Sequence, residues 1–159
     1  MRKPMLRRTF LTGVATVADA AVRDVTAQPA GRVKGFDHVA LPMQNADAML
    51  AFYRKLGFDV REGAQVCSVY AGDQMINFHR PALWQRGTFT LRAPAARPPC
   101  GDLCFVWDGT AAALKEMLDR ASASIVEGPV ARQGGRRAAA SSVYVRDPDG
   151  NLLEFLIYA

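Results

Sequence analysis

The sequence predicts an α+β fold: two βαβββ modules forming a curved mixed sheet around a cup, with the helices outside. Three observations predict it. Strand-like and helix-like periods follow each other in the order β, α, β, β, β, and that order occurs twice. The stretch 142–158, SVYVRDPDGNLLEFLIY, reads as a hairpin about Asp147, Pro148, Asp149 and Gly150. Pro presets φ at the second turn position, and Gly accepts the positive φ that closes the turn. One module alone would leave a sheet face bare. Two related by a pseudo-twofold axis bury those faces and leave a cup between them.

The elements follow in order. Residues 36–41 are a strand that ends before Pro42. Asn45 or Asp47 caps a helix whose stripe is Met49, Leu50, Phe52, Tyr53 and Leu56, and Gly57 stops it. Strands follow at 58–61, 65–71 and 75–79, with Gly72 and Asp73 turning the chain. Residues 80–99 are a connector, where Pro81, Pro94, Pro98 and Pro99 oppose regular structure and 88–91 reads as a short strand. The order then recurs. Residues 101–107 are a strand, Thr110 caps a helix with Leu114, Met117 and Leu118 on one face, and 124–127 is a strand before Gly128 and Pro129. A loop with Gly134 and Gly135 leads into the last hairpin. Overlaying the halves sets Ser68, Val69 and Tyr70 on Ser142, Val143 and Tyr144. Asn77 falls on Glu154, Phe78 on Phe155, and His38 on Asp102. The modules span about 33–80 and 100–159 within a domain of 33–159.

Composition narrows the function. The chain of 159 residues has room for one domain of ordinary size, and at 50% hydrophobic it is globular. Of its net charge of +5, residues 1–27 carry +3: five bases (Arg2, Lys3, Arg7, Arg8, Arg23) less two acids (Asp19, Asp24). No basic stripe remains for a nucleic acid. Cys67, Cys100 and Cys104 are an odd set without CxxC spacing, so a zinc–thiolate site is not expected, and Cys67 and Cys104 read as core residues. Residues 1–30 stand apart from the fold. Arg7, Arg8, Thr9, Phe10 and Leu11, ahead of a weakly apolar stretch, resemble a bacterial twin-arginine export signal, with small residues for cleavage after Ala27. The alternative is a leader that is never cleaved. Export would place the protein in the periplasm or outside the cell; otherwise it is cytoplasmic. No stretch is apolar for the ~18–20 residues a membrane span needs.

The polar residues of the strands carry the chemistry. In the last strand Leu153, Phe155 and Ile157 point one way and Leu152, Glu154, Leu156 and Tyr158 the other. A carboxylate among such neighbours needs a partner, either a bound cation or an arginine. The only two histidines, His38 and His79, lie on strands, and His79 shares its face with Met75 and Asn77. The repeat brings His38, Asp102, Glu154 and either Asn77 or His79 to one cup. Imidazole and carboxylate together suit Zn, Fe, Mn, Ni or Co. Tyr144 or Tyr70 is placed to orient a substrate or to be a core tyrosine. Arg132, Arg136 and Arg137 flank the glycine loop, either to close over an anionic substrate or as a solvated charge run.

Three stretches carry a resemblance: FDHVAL at 36–41, FYRKLGF at 52–58 and RDPDGNLLE at 146–154. On them, about four-fifths of the chain resembles a vicinal oxygen chelate domain, the superfamily of glyoxalases, fosfomycin-resistance proteins and extradiol dioxygenases. It is most similar to the single-domain, glyoxalase-domain-containing type, to which QMINFH at 74–79 and EGPVAR at 127–132 also belong in appearance. The resemblance implies paired modules around a divalent metal ion held by His38, His79, Asp102 and Glu154, with Asn77 competing with His79 for its slot. Asp102 stands where the family often has His. It implies a small-molecule substrate with adjacent oxygens and either dioxygenase-like ring cleavage or glyoxalase-like lyase/isomerase chemistry. Glu154 and His38 would be catalytic, and Tyr144 and Arg132 would bind substrate. The alternative it leaves is a metal-free binding module of the bleomycin-resistance kind. Such domains commonly form homodimers.

Overall fold

Apolar periodicity decides which face each element buries. The computed structural model describes residues 31–159, so the export-signal reading of residues 1–30 lies outside the described residues. Lys34–Ala159 forms one compact unit. Its order is β1 (His38–Pro42), α1 (Ala46–Lys55), β2 (Asp59–Arg61), β3 (Val66–Ala71), β4 (Gln74–His79), α2 (Pro81–Trp84), β5 (Asp102–Val106), α3 (Ala111–Ala121), β6 (Ile125–Gln133), β7 (Ala139–Arg146) and β8 (Leu152–Tyr158). This is the α+β architecture of two βαβββ modules. Each module forms its own four-stranded mixed sheet, ordered β1-β4-β3-β2 and β5-β8-β7-β6. The parallel pairs are β1 with β4 and β5 with β8; the other neighbours are antiparallel.

The helices cover the inner faces. α1 buries Met49, Leu50, Phe52 and Tyr53, and Gly57 at φ 87° releases the chain from it. α3 starts at Thr110, whose hydroxyl accepts the Ala113 N–H at 3.1 Å, and buries Leu114, Met117, Leu118 and Ala121. One core joins both modules. Tyr53 and Phe78 meet at 5.3 Å between ring centroids, and Phe58 meets Phe105 at 5.0 Å. A fully buried ring such as Phe78 is worth about 1.5–3 kcal/mol.

The turn at residues 147–151 ties that core together. The Asp147 carboxylate accepts from the backbone N–H of Asp149 and Asn151, from the Asn151 amide and from the Tyr53 hydroxyl. Burial pushes Asp147 up from the ordinary carboxylate value, against the lowering effect of its bonds from Asn151 and Tyr53. Burial and the facing Asp147 together push the Tyr53 phenol well up. The Asn151 carbonyl oxygen accepts the N–H of Cys100 and Gly101, which fixes the approach to β5. Asp149 accepts the N–H of Gln44 and Asn45 and the Asn45 amide, at 2.6–2.9 Å. The first turn of α1 is therefore capped from the other module, and Asn45 holds the N-cap position without capping it with its own side chain.

Three details differ from the sequence reading. The connector has no strand at residues 88–91; it holds α2, with Pro81 at its start and the Trp84 indole donating to the Met43 carbonyl at 2.9 Å. β6 runs on past Gly128 and Pro129 to Gln133, because register shifts at Glu127 and Val130 absorb the interruption. The overlay of Ser68 on Ser142 is two residues out. Ser68 stands across from Asn77, whereas Tyr144, not Ser142, stands across from Glu154. The longer turn of the second hairpin hides this offset in the sequence.

Candidate functional site

Alternation along β5 and β8 builds the site. β8 turns Leu153 and Phe155 into the core and leaves half-buried Glu154 on the opposite face with Leu152, Leu156 and Tyr158. β5 runs parallel to it with Cys104 directly across from Glu154. Asp102 and Cys104 share one face of β5 and are exposed, while Leu103 and Phe105 pack on the core. Cys104 is thus a site residue and not the core residue the sequence suggested; the strand period decides its face, and its apolar neighbours misled. Partial burial, then the charges of Glu154 and Asp102, push its thiol up to about 12. It stays protonated beside the carboxylate.

Glu154 accepts a hydrogen bond from the buried Ser142 hydroxyl at 2.5 Å. Tyr144, across from Glu154 on β7, receives the Arg132 Nε–H on its hydroxyl at 2.9 Å. The Arg132 guanidinium lies over the Tyr144 ring at 5.4 Å and reaches the Glu127 carboxylate at 3.4 Å. Glu154, Tyr144 and Arg132 line a pocket of about 460 Å³ that also takes in Cys104, Leu156 and Tyr158.

The first module repeats the pattern with weaker groups. Asn77 occupies the place of Glu154, and its carbonyl oxygen accepts from the Ser68 hydroxyl at 2.7 Å. His38 is exposed at the start of β1, with its Nδ1 2.7 Å from Asp37. It lines a second pocket, of about 380 Å³, together with Asp102 and Cys104. His79 lies one pleat beyond Asn77 and is buried, with Phe89 of the connector set edge-on against its ring at 5.2 Å. That burial lowers its pKa and keeps the imidazole neutral. Tyr70 is exposed at the far end of β3.

The structure therefore brings Glu154, Tyr144 and Arg132 to one pocket and His38 and Asp102 to another, and it sets His79 apart from both. Imidazole and carboxylates are the right donors for a divalent ion. Among the described residues, however, no three His, Cys, Asp or Glu side chains converge to hold one. Within one chain the geometry does not fit a resident metal. Among the described residues, no helix is long and apolar enough to cross a membrane.

Known proteins are similar to this chain in fold and in sequence. Residues 35–155 match the family model of the Glyoxalase/Bleomycin resistance protein/Dioxygenase superfamily. The chain is 35% identical over 128 residues to "Glyoxalase domain-containing protein RDO1" of Mycosarcoma maydis, covering 79% of this chain and 69% of that one. It is 35% identical over 124 residues to "Virulence protein STM3117" of Salmonella typhimurium, covering 77% and 83%. An integron cassette protein from the mobile metagenome of V. cholerae superposes with a TM-score of 0.71 at 31% identity, over 81% of this chain and 98% of that one. Two open sheet faces carrying matched polar groups, on this architecture and with these relatives, lead to one conclusion: the chain belongs to the glyoxalase/bleomycin resistance protein/dioxygenase superfamily.

Proposed function

We propose that the protein is an enzyme acting on a small molecule with adjacent oxygen atoms, bound over the open face of β5, β8 and β7. Its chemistry is dioxygenase-like ring cleavage or glyoxalase-like lyase/isomerase conversion. The observation that carries this reading is the setting of Glu154. It is a half-buried carboxylate in a pocket, positioned by Ser142, with Tyr144 directly across on β7 and Arg132 of β6 hydrogen-bonded to that tyrosine. In that setting Glu154 takes a proton from a bound hydroxyl or the carbon beside it and returns it. Tyr144 and Arg132 orient the oxygens, since their own hydrogen bond fixes both side chains before the substrate arrives.

The metal dependence typical of the superfamily calls for a homodimer in this reading. His38 lies on one module and Asp102 and Glu154 on the other. A second copy turned about a twofold axis sets the first face of one chain against the second face of its partner. A divalent ion (Fe, Mn, Ni, Co or Zn) would then take donors from both. The test mixes two defective variants. His38→Ala and Glu154→Gln each lose bound metal alone, and mixed dimers regain it in half of their sites. Metal retained by a monomer, or no recovery on mixing, overturns the shared site. A metal-free binding module is the second reading, favoured by the amide of Asn77 in the place of Glu154. It predicts that His38→Ala leaves ligand affinity untouched. The leader, if used, delivers the protein to the periplasm or beyond; mass spectrometry of the N-terminus finds or fails to find processing after Ala27.

A further inference from the structure

The β6–β7 loop is fastened to a tyrosine at the end of the Glu154 row. The Arg136 N–H donates to the Tyr158 hydroxyl at 3.1 Å. Gly134 comes so close that a Cβ there would sit 2.2 Å from the same oxygen, so any other residue displaces either the Tyr158 ring or the loop. The Gly134 carbonyl accepts the Arg137 N–H at 2.8 Å, and Arg137 takes a left-handed φ of 61° to complete the turn. This arrangement sets the Arg136 guanidinium over the Tyr158 ring, its Cζ 4.6 Å from the centroid.

The two arginines of the pocket differ in charge balance. Arg132 already meets Glu127 and the Tyr144 hydroxyl. Among the described residues Arg136 has no carboxylate within ion-pair distance. It is an exposed cation, set over the Tyr158 ring, at the rim of the pocket that contains Glu154. A guanidinium held this way loses little entropy on gripping a planar anion with two parallel N–H bonds. Glu154 and Tyr158 are four residues apart on one face of β8, about 13 Å along the strand. Between them lies the apolar side chain of Leu156.

From this we infer that Arg136 anchors a carboxylate at the far end of the substrate, and that the substrate class is a small acid with its adjacent oxygens at one end and its carboxylate at the other, joined by an apolar spacer. The inference rests on the reading of Glu154 as the reacting end.

Isothermal titration of the full-length protein with three probes tests it. The probes are 3-(3,4-dihydroxyphenyl)propionate, which has both ends, 4-ethylcatechol, which lacks the acid, and 3-phenylpropionate, which lacks the adjacent oxygens. The dihydroxy acid is expected to bind roughly tenfold or more tightly than 4-ethylcatechol at low salt, about the worth of one charge-assisted pair. Arg136→Gln brings the two to parity, and Arg136→Lys retains part of the difference. Parity in the unmodified protein, or a preference that survives Arg136→Gln, overturns the anchor while leaving Glu154 its role. If 3-phenylpropionate binds as tightly as the dihydroxy acid and loses affinity with Arg136→Gln, the anchor stands and the adjacent-oxygen reading falls. If none of the three binds, both fall.

Discussion

The two modules share a plan but finish their last hairpins differently. β3 turns into β4 through Gly72 and Asp73 alone, at the surface. β7 turns into β8 through residues 147–151, whose buried Asp147 and Asn151 tie down β5, α1 and Tyr53. At the position two pleats up, the first module carries an amide, Asn77, and the second a carboxylate, Glu154, each steadied by a serine hydroxyl. The second module thus holds both the structural clasp and the carboxylate proposed to react. The acidic turn and the acidic strand residue lie a few positions apart in sequence and do unrelated work.

The largest expected effect comes from breaking the clasp. Asp147→Ala leaves the Tyr53 hydroxyl and the Asn151 amide without their acceptor and should cost about 3 kcal/mol. Asp73→Ala, in the corresponding surface turn, should stay within about 0.5 kcal/mol. Urea denaturation of the two variants measures the contrast. The polar pair comes next. If the proposed dimer-shared site holds, Glu154→Gln should lower Mn²⁺ retention by the dimer on equilibrium dialysis roughly 100-fold, and Asn77→Asp, which gives the first module a carboxylate too, should raise it. Equal losses from the two variants would mean that the modules do not differ in this way.

Smaller effects sharpen the same comparison. Cys104 is raised to about 12 by burial first and by Glu154 second, so it is unreactive near neutral pH. Removing the charge with Glu154→Gln lowers that value, and iodoacetamide should alkylate Cys104 severalfold faster at pH 9, read by mass spectrometry in a Cys100→Ser background. The smallest effect concerns His79, whose counterpart on β8 is the non-titrating Leu156. Burial depresses the folded-state pKa of His79, so the unfolded chain binds its proton first. Its contribution is complete above about pH 6.5 and is lost as pH falls through the lower, folded value. His79→Leu should flatten the decline in urea midpoint between pH 7 and 5.

Much of this was legible in the sequence because it is local. The alternation of 152–158 placed Glu154 opposite Leu153 and Phe155, and the stripe from Met49 to Tyr53 placed α1 on the core. Turn chemistry named residues 147–150. What escaped depends on distant partners. That Phe89 covers His79, that Asp149 rather than Asn45 caps α1, and that Cys104 stands across from Glu154 are settled by packing and register, which no window of one strand contains. The offset of Tyr144 against Ser68 escaped because the two hairpin turns differ in length. A finer signal did exist for Cys104. Asp102 and Cys104 are two apart, so whichever face takes the acid takes the thiol.

The bridge from Asp149 to the start of α1 also bears on chimeras made with relatives. Two of its three hydrogen bonds come from main-chain amides, at Gln44 and Asn45, which are blind to the side chains there. A grafted first half can therefore vary freely at position 44, provided the receiving second half keeps an acid at 149. At these two main-chain contacts module exchange is constrained from one side only, and the side that constrains it is the one furthest along the chain.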